Sequence, residues 1–303
     1  MLSNLASPAH EIDGDVITYR FSNGLVIRAE VPEKDDPLRI LSLTRLQGAV
    51  LNYLMNSPAA VRGKRVFEPF AGSGALGFMA LKEGARTVDF LDINSRAEEF
   101  QRATAAANRF AADQVRSITG DLHEFRAPEP YDLILANPPF LPTPDCIEGT
   151  LSSNGGSDGN ALLGLLLNRL NEFLTPDGEV LVILYQLVQG GMPLAARVFA
   201  DALAGRRVEF TPLQEAPVPF AWYCDAYERQ HRAESDGIRR WQSELEQSYG
   251  HELTLSHFVM HIGPRSTAPG GCSVLENAAQ KFGAEYVLAA DDTDYMPVDG
   301  RRR

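Results

Sequence analysis

Four stretches place chemically useful residues at the ends of apolar runs. In FEPFAGSGALG (residues 67–77), Glu68 precedes a turn built on Gly72 and Gly74, with Gly77 just beyond. TVDFLDIN (residues 87–94) carries Asp92 near its end, and ITGDL (residues 118–122) carries Asp121. YDLILANPPFLPTP (residues 131–144) passes from four apolar residues into Asn137-Pro138-Pro139-Phe140. Glycines allow a backbone to approach a ligand closely, and the start of a following helix offers unpaired N–H groups. A carboxylate ending the next strand can accept both hydroxyls of a ribose. The two prolines make the last turn rigid, and its Asn oxygen and Pro138 carbonyl can both accept N–H bonds.

These residues need a scaffold that brings strand ends to one edge. From about Lys64 the sequence alternates between short apolar runs and helical patterns. RVFEPF, TVDFLDIN, VRSITGD, YDLILAN and EVLVILY read as strands. ALGFMALKEG reads as a helix closed by Gly84, and SRAEEFQRATAAANRF as an Ala-rich helix with Ser95 as N-cap. NALLGLLLNRLNEFL and MPLAARVFADALAG are helical by pattern, and RRVEFTPL and ELTLSHFVMHIG are strand-like. This alternation predicts an α/β fold: a seven-stranded, mainly parallel, Rossmann-like sheet with helices on both faces. The ligand crevice of such a sheet lies outside the carboxyl ends of its strands. Glu68, Asp92 and Asp121 are thereby predicted to share one edge.

Residues 1–60 read as an accessory region. There, Asn23-Gly24 predicts a type I′ hairpin turn within VITYRFSNGLVIRAE, and TRLQGAVLNYLMN predicts a helix capped by Thr44 and ended by Ser57-Pro58. Residues 61–263 form the main domain. Its insertion, 222–250, is helical with a break expected at Asp236-Gly237, and carries Trp222, Tyr223, Tyr227 and Trp241 either as a cap or lid over the substrate side or as packing of the helix onto the sheet. Residues 264–303 read as a tail with one short helix near 274–282.

Two ligands compete for the predicted edge. Gly72, Gly74 and Gly77 spell the G-x-G-x-x-G of a dinucleotide site. Glu68 would face a pyrophosphate unfavourably and suits an amino group instead. A hydride-transfer enzyme also has no evident use for Asn-Pro-Pro-Phe. EPFAGSG, DIN, TGD and NPPF, in this order, resemble the class I S-adenosylmethionine-dependent methyltransferases, and within them the amino-methylating branch with Asn-Pro-Pro-Tyr/Phe. The resemblance covers residues 61–184. It implies S-adenosyl-L-methionine as cofactor. Glu68, Phe70, Ala71, Gly72 and Gly74 would hold its methionine portion, Asp92 its ribose hydroxyls, and Asp121 would lie near its adenine amino group, with Ile93 and Leu122 also against the cofactor. Asn137, beside the cofactor, would orient an acceptor nitrogen together with Pro138, and Phe140 would pack against it. NGGSDGN (residues 154–160) is similar to the stretch after Asn-Pro-Pro-Tyr in release-factor glutamine methyltransferases, which act on a side-chain amide. Here Phe140 stands for the usual Tyr and the N-terminal region differs, so the acceptor stays open: a protein side chain, a peptide or a small metabolite. Two alternatives remain: base methylation of RNA or DNA, and a non-methylating use of the cofactor that releases methylthioadenosine.

The charge balance favours the first class. The chain has 303 residues, 44% of them hydrophobic, and a formal net charge of −12. Nucleic-acid affinity rests on Lys and Arg displacing counterions, and the basic clusters at 62–65, 205–207 and 301–303 are short. A nucleic-acid partner would need a basic face around Arg62, Lys64, Arg206 and Arg207. The sequence predicts no membrane span and no secretory leader. Its three scattered cysteines suit reduced thiols in a cytoplasm. HFVMH (residues 257–261) spaces two histidines in a strand without an acid or Cys partner, so no metal site is predicted. Oligomeric state is not encoded in any pattern found.

Overall fold

The computed structural model describes residues 8–34, 36–267 and 270–289. The basic cluster at 301–303 lies outside them. Three N-terminal strands, β1 (Ala9–Asp13), β2 (Val16–Arg20) and β3 (Val26–Glu30), form an antiparallel sheet. Ile17 and Tyr19 of β2, and Ile27 and Ala29 of β3, alternate into the core as a half-buried sheet requires. Helix α1 (Arg45–Asn56) opens with a capping box. The Thr44 hydroxyl accepts the Gln47 N–H at 3.2 Å, and the Gln47 side chain accepts the Thr44 N–H at 3.0 Å.

The main sheet follows. Its first half comprises β4 (Arg65–Pro69), α2 (Ala75–Lys82), β5 (Thr87–Asp92), α3 (Arg96–Asn108), β6 (Val115–Thr119) and β7 (Tyr131–Ala136). Then come α4 (Ala161–Leu167), α5 (Leu170–Phe173), β8 (Leu174–Gln189), β9 (Met192–Pro193), α6 (Ala195–Val198), β10 (Arg206–Pro212) and β11 (Val218–Pro219). The chain continues through α7 (Phe220–Gln230), α8 (Ser235–Tyr249), β12 (Thr254–Arg265), β13 (Gly271–Val274) and α9 (Ala278–Phe282). Across the sheet the order is β6-β5-β4-β7-β8-β12-β10-β13. The five strands from β6 to β8 are parallel, and β12 is antiparallel to both β8 and β10. The sheet has ten strands rather than seven: β13 adds an edge parallel to β10, and the two-residue β9 and β11 pair with β8 and β12. Strands β7 and β8 carry unbroken buried runs, Leu133 to Ala136 and Val180 to Val188, because helices cover both faces.

Several local expectations give way to tertiary context. Only Gly24 of the Asn23-Gly24 pair is left-handed, at φ 81°, and the Phe21 N–H bonds to the Leu25 carbonyl at 2.9 Å. The hairpin therefore uses a longer loop ending in a left-handed Gly, not a type I′ turn. Ser95 does not cap α3. Its backbone is already helical (φ −59°, ψ −23°), and the Asn94 side chain instead accepts the Arg96 N–H at 3.1 Å. The helix expected over 192–205 shrinks to α6, because a turn at Gly190-Gly191 pulls Met192 and Pro193 into the sheet beside β8. Helix α8 runs straight through Asp236-Gly237, and the break falls earlier, at His231 to Glu234. Gly237 serves close packing: a Cβ there would lie 2.7 Å from the Cys146 sulfur.

Residues 270–289 are part of the folded unit and do not form a free tail. β13 extends the sheet, and α9 packs on α1, with the Phe282 ring fully buried 5.6 Å from that of Tyr53. Arg45 donates to the Glu285 carbonyl at 2.8 Å and the Val287 carbonyl at 3.0 Å, and Asn52 donates to the Phe282 carbonyl at 2.8 Å. Among the described residues no helix is long and apolar enough to cross a membrane. If this C-terminal segment belongs to the folded unit, Phe282→Ala removes a core ring and costs about 3–5 kcal/mol in urea unfolding; a loss under about 1 kcal/mol would show that α9 is only draped over α1.

Candidate functional site

A cavity of about 650 Å³ opens at the carboxyl ends of β4, β5, β6 and β7, where the sheet order reverses. Phe70, Ala71, Gly72, Asp92, Ile93, Asp121, Leu122, Asn137, Pro138 and Phe140 all line it. Thus ten of the twelve residues that the resemblance assigns to cofactor or acceptor meet in one place. The turn after β4 is tight and strained. Phe70 holds a left-handed backbone (φ 58°), uncommon for a side chain of its size, and Gly72 and Gly74 are also left-handed. A Cβ on Gly74 would lie 2.8 Å from the Phe90 ring, so only glycine lets the turn settle on β5. A Cβ on Gly72 would meet nothing within 4 Å, because that backbone faces open space. The side chain of buried Gln101 holds the Gly72 carbonyl at 2.9 Å.

Asp92 braces this turn from the next strand. One carboxylate oxygen accepts the Gly72 N–H at 2.7 Å and the other the Asn94 N–H at 2.8 Å. Burial raises its pKa, and these two N–H bonds oppose the rise. Ile93 beside it is 57% exposed, an apolar surface left open on the cavity wall. Leu122, almost fully buried, also lines this wall, and Asp121 accepts the His123 N–H at 2.8 Å.

Glu68 and Gly74 do not line the cavity. Glu68 is buried beneath the turn, where its carboxylate accepts the Gly77 N–H at 2.6 Å. This corrects the expectation that Glu68 faces a ligand's amino group: the carboxylate closes the first turn of α2. Burial, partly opposed by the Gly77 and Leu76 N–H groups, pushes its pKa up to about 8. Gly77 is required for that approach, since a Cβ there would sit 2.8 Å from the carboxylate.

The Asn137-Pro138-Pro139-Phe140 turn leaves β7 along the cavity wall. The Asn137 side chain makes no hydrogen bond among the described residues, so its amide stays available to the cavity. The turn is fixed from behind by the glycine loop of residues 154–160. Leu141 N–H bonds to the Ser153 carbonyl at 2.9 Å, Gly155 N–H to the Leu141 carbonyl at 3.0 Å, and Thr143 N–H to the Gly156 carbonyl at 2.9 Å. The 222–250 insertion then locks that loop. The hydroxyls of Tyr223 and Tyr227 donate to the Pro142 carbonyl at 2.9 and 3.3 Å, and the Trp241 indole N–H donates to the Ser157 carbonyl at 2.9 Å. The aromatic residues of the insertion are thus a buried buttress rather than a lid, while Trp222 points outward.

Other lining residues carry no motif. Ile40, Leu41, Thr44 and Gln47 bring the N-terminal region to the cavity, and Tyr227, Gln230 and His231 bring the end of α7. The stretch before α1 is tied down by the buried Glu30 carboxylate, which accepts the Ile40 N–H at 2.6 Å and pairs with Arg96 and Lys34. Asn94 also donates to the Leu38 carbonyl at 2.7 Å. The one legible signal was Gln101, a polar residue on the buried stripe of α3 between Ala97 and Thr104. Of the two histidines in β12, His257 is buried, and His261 lies 3.3 Å from Glu179 and 3.8 Å from Glu209.

A family model described as the methyltransferase small domain matches residues 49–200, half of the chain. A protein of Methanocaldococcus jannaschii, provisionally named a protein N5-glutamine methyltransferase, is 29% identical over 139 residues, covering 43% of this chain and 66% of that protein. The ribosomal protein uL3 glutamine methyltransferase of Bradyrhizobium diazoefficiens is 33% identical over 137 residues, covering 42% of each chain. The matched stretch therefore spans less than two thirds of either relative. A solved structure described as a SAM-dependent methyltransferase of Agrobacterium tumefaciens aligns over 84% of this chain and 71% of its own, with a TM-score of 0.50 at 16% identity, a likeness of fold.

The buried Glu68 carboxyl gives a pH test. Its folded pKa lies above the unfolded value, so its contribution to stability is complete below about pH 4.5, declines as pH rises, and is gone above about 8. Glu68→Gln should flatten that part of the stability–pH curve, read as thermal midpoints between those two limits. A slope unchanged from wild type would mean that Glu68 does not titrate in this window.

Proposed function

Because the chain belongs to the family of methyltransferase small domains, we propose that it transfers a methyl group from S-adenosyl-L-methionine to a side-chain amide nitrogen of a protein, with glutamine as the acceptor residue. The observation that carries this reading is Asn137, whose uncommitted amide lines the same cavity as the Gly72 turn and Phe140. The residues present fit the cofactor. The open backbone at Gly72, the Asp92 carboxylate and the exposed face of Ile93 form a cradle that none of the described residues fills. Phe70 to Gly72 would hold the amino-acid end, Asp92 the ribose, and Ile93 with Leu122 the flat base, beside Asp121. Glu68 would act from below, by fixing α2.

When bound, this cofactor supplies an electrophilic methyl on a sulfonium, whose sulfur takes the bonding pair as it leaves. The chain's task lies on the acceptor side. An amide nitrogen is a poor nucleophile because its lone pair is delocalised into the carbonyl. The Asn137 oxygen and the Pro138 carbonyl can each accept one N–H of the acceptor. Two such bonds favour a pyramidal nitrogen and aim its lone pair at the methyl carbon. That gain grows toward the transition state, as catalysis requires. Phe140 would pack against the planar amide. The nitrogen–carbon bond forms as the carbon–sulfur bond breaks, and the nitrogen then loses its extra proton to water.

Several features favour a neutral protein amide over a nucleobase. Among the described residues lining the cavity, Arg39 is the only Lys or Arg, and its guanidinium donates to the Pro32 and Lys34 carbonyls at 2.9 Å each. Three of the four cations that could have formed a phosphate-binding face are engaged as well. Lys64 pairs with Glu179 at 2.7 Å, Arg207 pairs with Glu209 at 2.8 Å, and buried Arg206 donates to the Gly263 carbonyl at 3.0 Å. The glutamine methyltransferase names of the two relatives point the same way.

The test is incubation with S-adenosyl-L-methionine and cell-extract proteins, followed by peptide mass spectrometry. Wild type should add one methyl mass to glutamine side chains and release S-adenosylhomocysteine. Asn137→Ala should keep its affinity for S-adenosylhomocysteine within about twofold while turnover falls on the order of 10²- to 10³-fold. Methyl label found in RNA, or methylthioadenosine as the released product, would overturn the reading.

A further inference from the structure

Behind Phe140 lies a buried ring that the chemistry above does not use. His257, in the middle of β12, sits directly opposite Tyr185 in the β8–β12 register. The two rings stack at 4.1 Å with only 20° between their planes. The imidazole also meets the Phe140 ring in a perpendicular arrangement, 82° between planes and 6.3 Å between centroids. The segment just after β10 also holds it. The His257 carbonyl accepts the Leu213 N–H at 2.8 Å, and its Nδ1 lies 3.4 Å from the Gln214 side-chain oxygen. Tyr185 in turn packs edge-on against Tyr223 at 5.9 Å, the residue whose hydroxyl holds the Pro142 carbonyl. A closed circuit of rings therefore runs from Phe140 through His257, Tyr185 and Tyr223 back to the chain two residues beyond Phe140.

We propose that His257 is a positioning residue for the acceptor: by backing Phe140 it fixes the angle at which that ring meets the acceptor group. This rests on the reading that Phe140 packs the acceptor. A ring on a turn can pivot about its side-chain bonds unless something blocks it. The backbone of Phe140 is already fixed by the glycine loop, which leaves its side-chain torsions as the remaining freedom. The imidazole edge restricts that freedom, and the β8–β12 pair holds the imidazole. Burial keeps the imidazole neutral, lowering its pKa to about 3, so it serves as a shaped ring across the physiological range.

The test compares His257→Ala with His257→Phe in the full chain. Substitution by Ala removes the backing ring, while Phe restores a ring without the Nδ1–H. With a glutamine acceptor found by the mass-spectrometric test above, His257→Ala should lower kcat about tenfold while the affinity for S-adenosylhomocysteine stays within about twofold, and His257→Phe should recover most of the loss. A second readout does not depend on turnover. In chains carrying ring-labelled phenylalanine, the Phe140 signal, assigned with Phe140→Leu, should shift in His257→Ala toward that of a freely rotating ring and return in His257→Phe. Unchanged Phe140 signals in a folded His257→Ala would overturn the inference, as would cofactor affinity falling in step with turnover. Wild type that methylates no glutamine would sink the acceptor reading instead, and the ring signal alone would then judge whether His257 holds Phe140.

Discussion

At Phe140 two stretches of backbone run in contact with no room for a side chain between them. A Cβ on Gly155 would lie 2.7 Å from the Phe140 carbonyl carbon, and one on Gly159 would lie 2.6 Å from its oxygen. That approach is closer than any side chain tolerates, and much of the site depends on it. It lets the loop of residues 154–160 pair with residues 141–143. It places Ser157 under the Trp241 indole and Asp158 3.3 Å from the Tyr249 hydroxyl. It also sets Asn160 where the Gln186 side chain reaches it at 2.9 Å, tying the loop to β8. The turn that carries Asn137 is rigid because prolines restrict it from within and glycines admit a neighbour from without.

The insertion and the N-terminal region divide the work of building walls. The N-terminal region joins α3, and the insertion joins the loops after β7, through polar contacts as well as apolar packing. The N-terminal sheet joins α3 through paired bonds between Val26 and Asn108, at 2.8 and 2.6 Å, and through the Arg28 N–H to Thr104 at 3.1 Å. Such bonds fix register, because leaving any one of these groups buried without a partner is costly. The cavity is accordingly bounded by elements far apart in sequence, each held to the strands that carry the glycine turn, Asp92 and Asn137.

What the sequence made legible was whatever strand ends and turn chemistry dictate locally. The G-x-G turn, Asp92, Asp121 and Asn-Pro-Pro-Phe each announce themselves by residue type at the end of an apolar run, and Thr44 with Gln47 announces a helix start. Elements decided by distant partners were not legible. Gly237 looked like a helix break, yet it is glycine because Cys146 presses on it. The Asn23-Gly24 pair favours one hairpin turn in isolation, but here Asn23 donates its side chain to Glu83 at 2.7 Å, which suits a different loop. Glu68 stands one residue from the turn in sequence, yet its side chain turns beneath it to the start of α2. From the sequence alone, the aromatic residues of the insertion suit a lid or simple packing equally. Nothing local reveals that their polar tips would find the carbonyls behind Asn-Pro-Pro-Phe.

The grip of Arg45 on the Glu285 and Val287 carbonyls joins residues 240 and 242 positions apart. It seats α1, whose first turn brings Thr44, Leu46 and Gln47 to the cavity. Contacts of such long range form late, because a large loop must close before they repay its entropy. On the ribosome, the segment that seats α1 emerges only after every strand of the parallel half has been made. The cofactor cradle can therefore take shape on the growing chain while the wall at α1 still waits for its latch, so completion of the pocket reports that synthesis has passed the whole sheet.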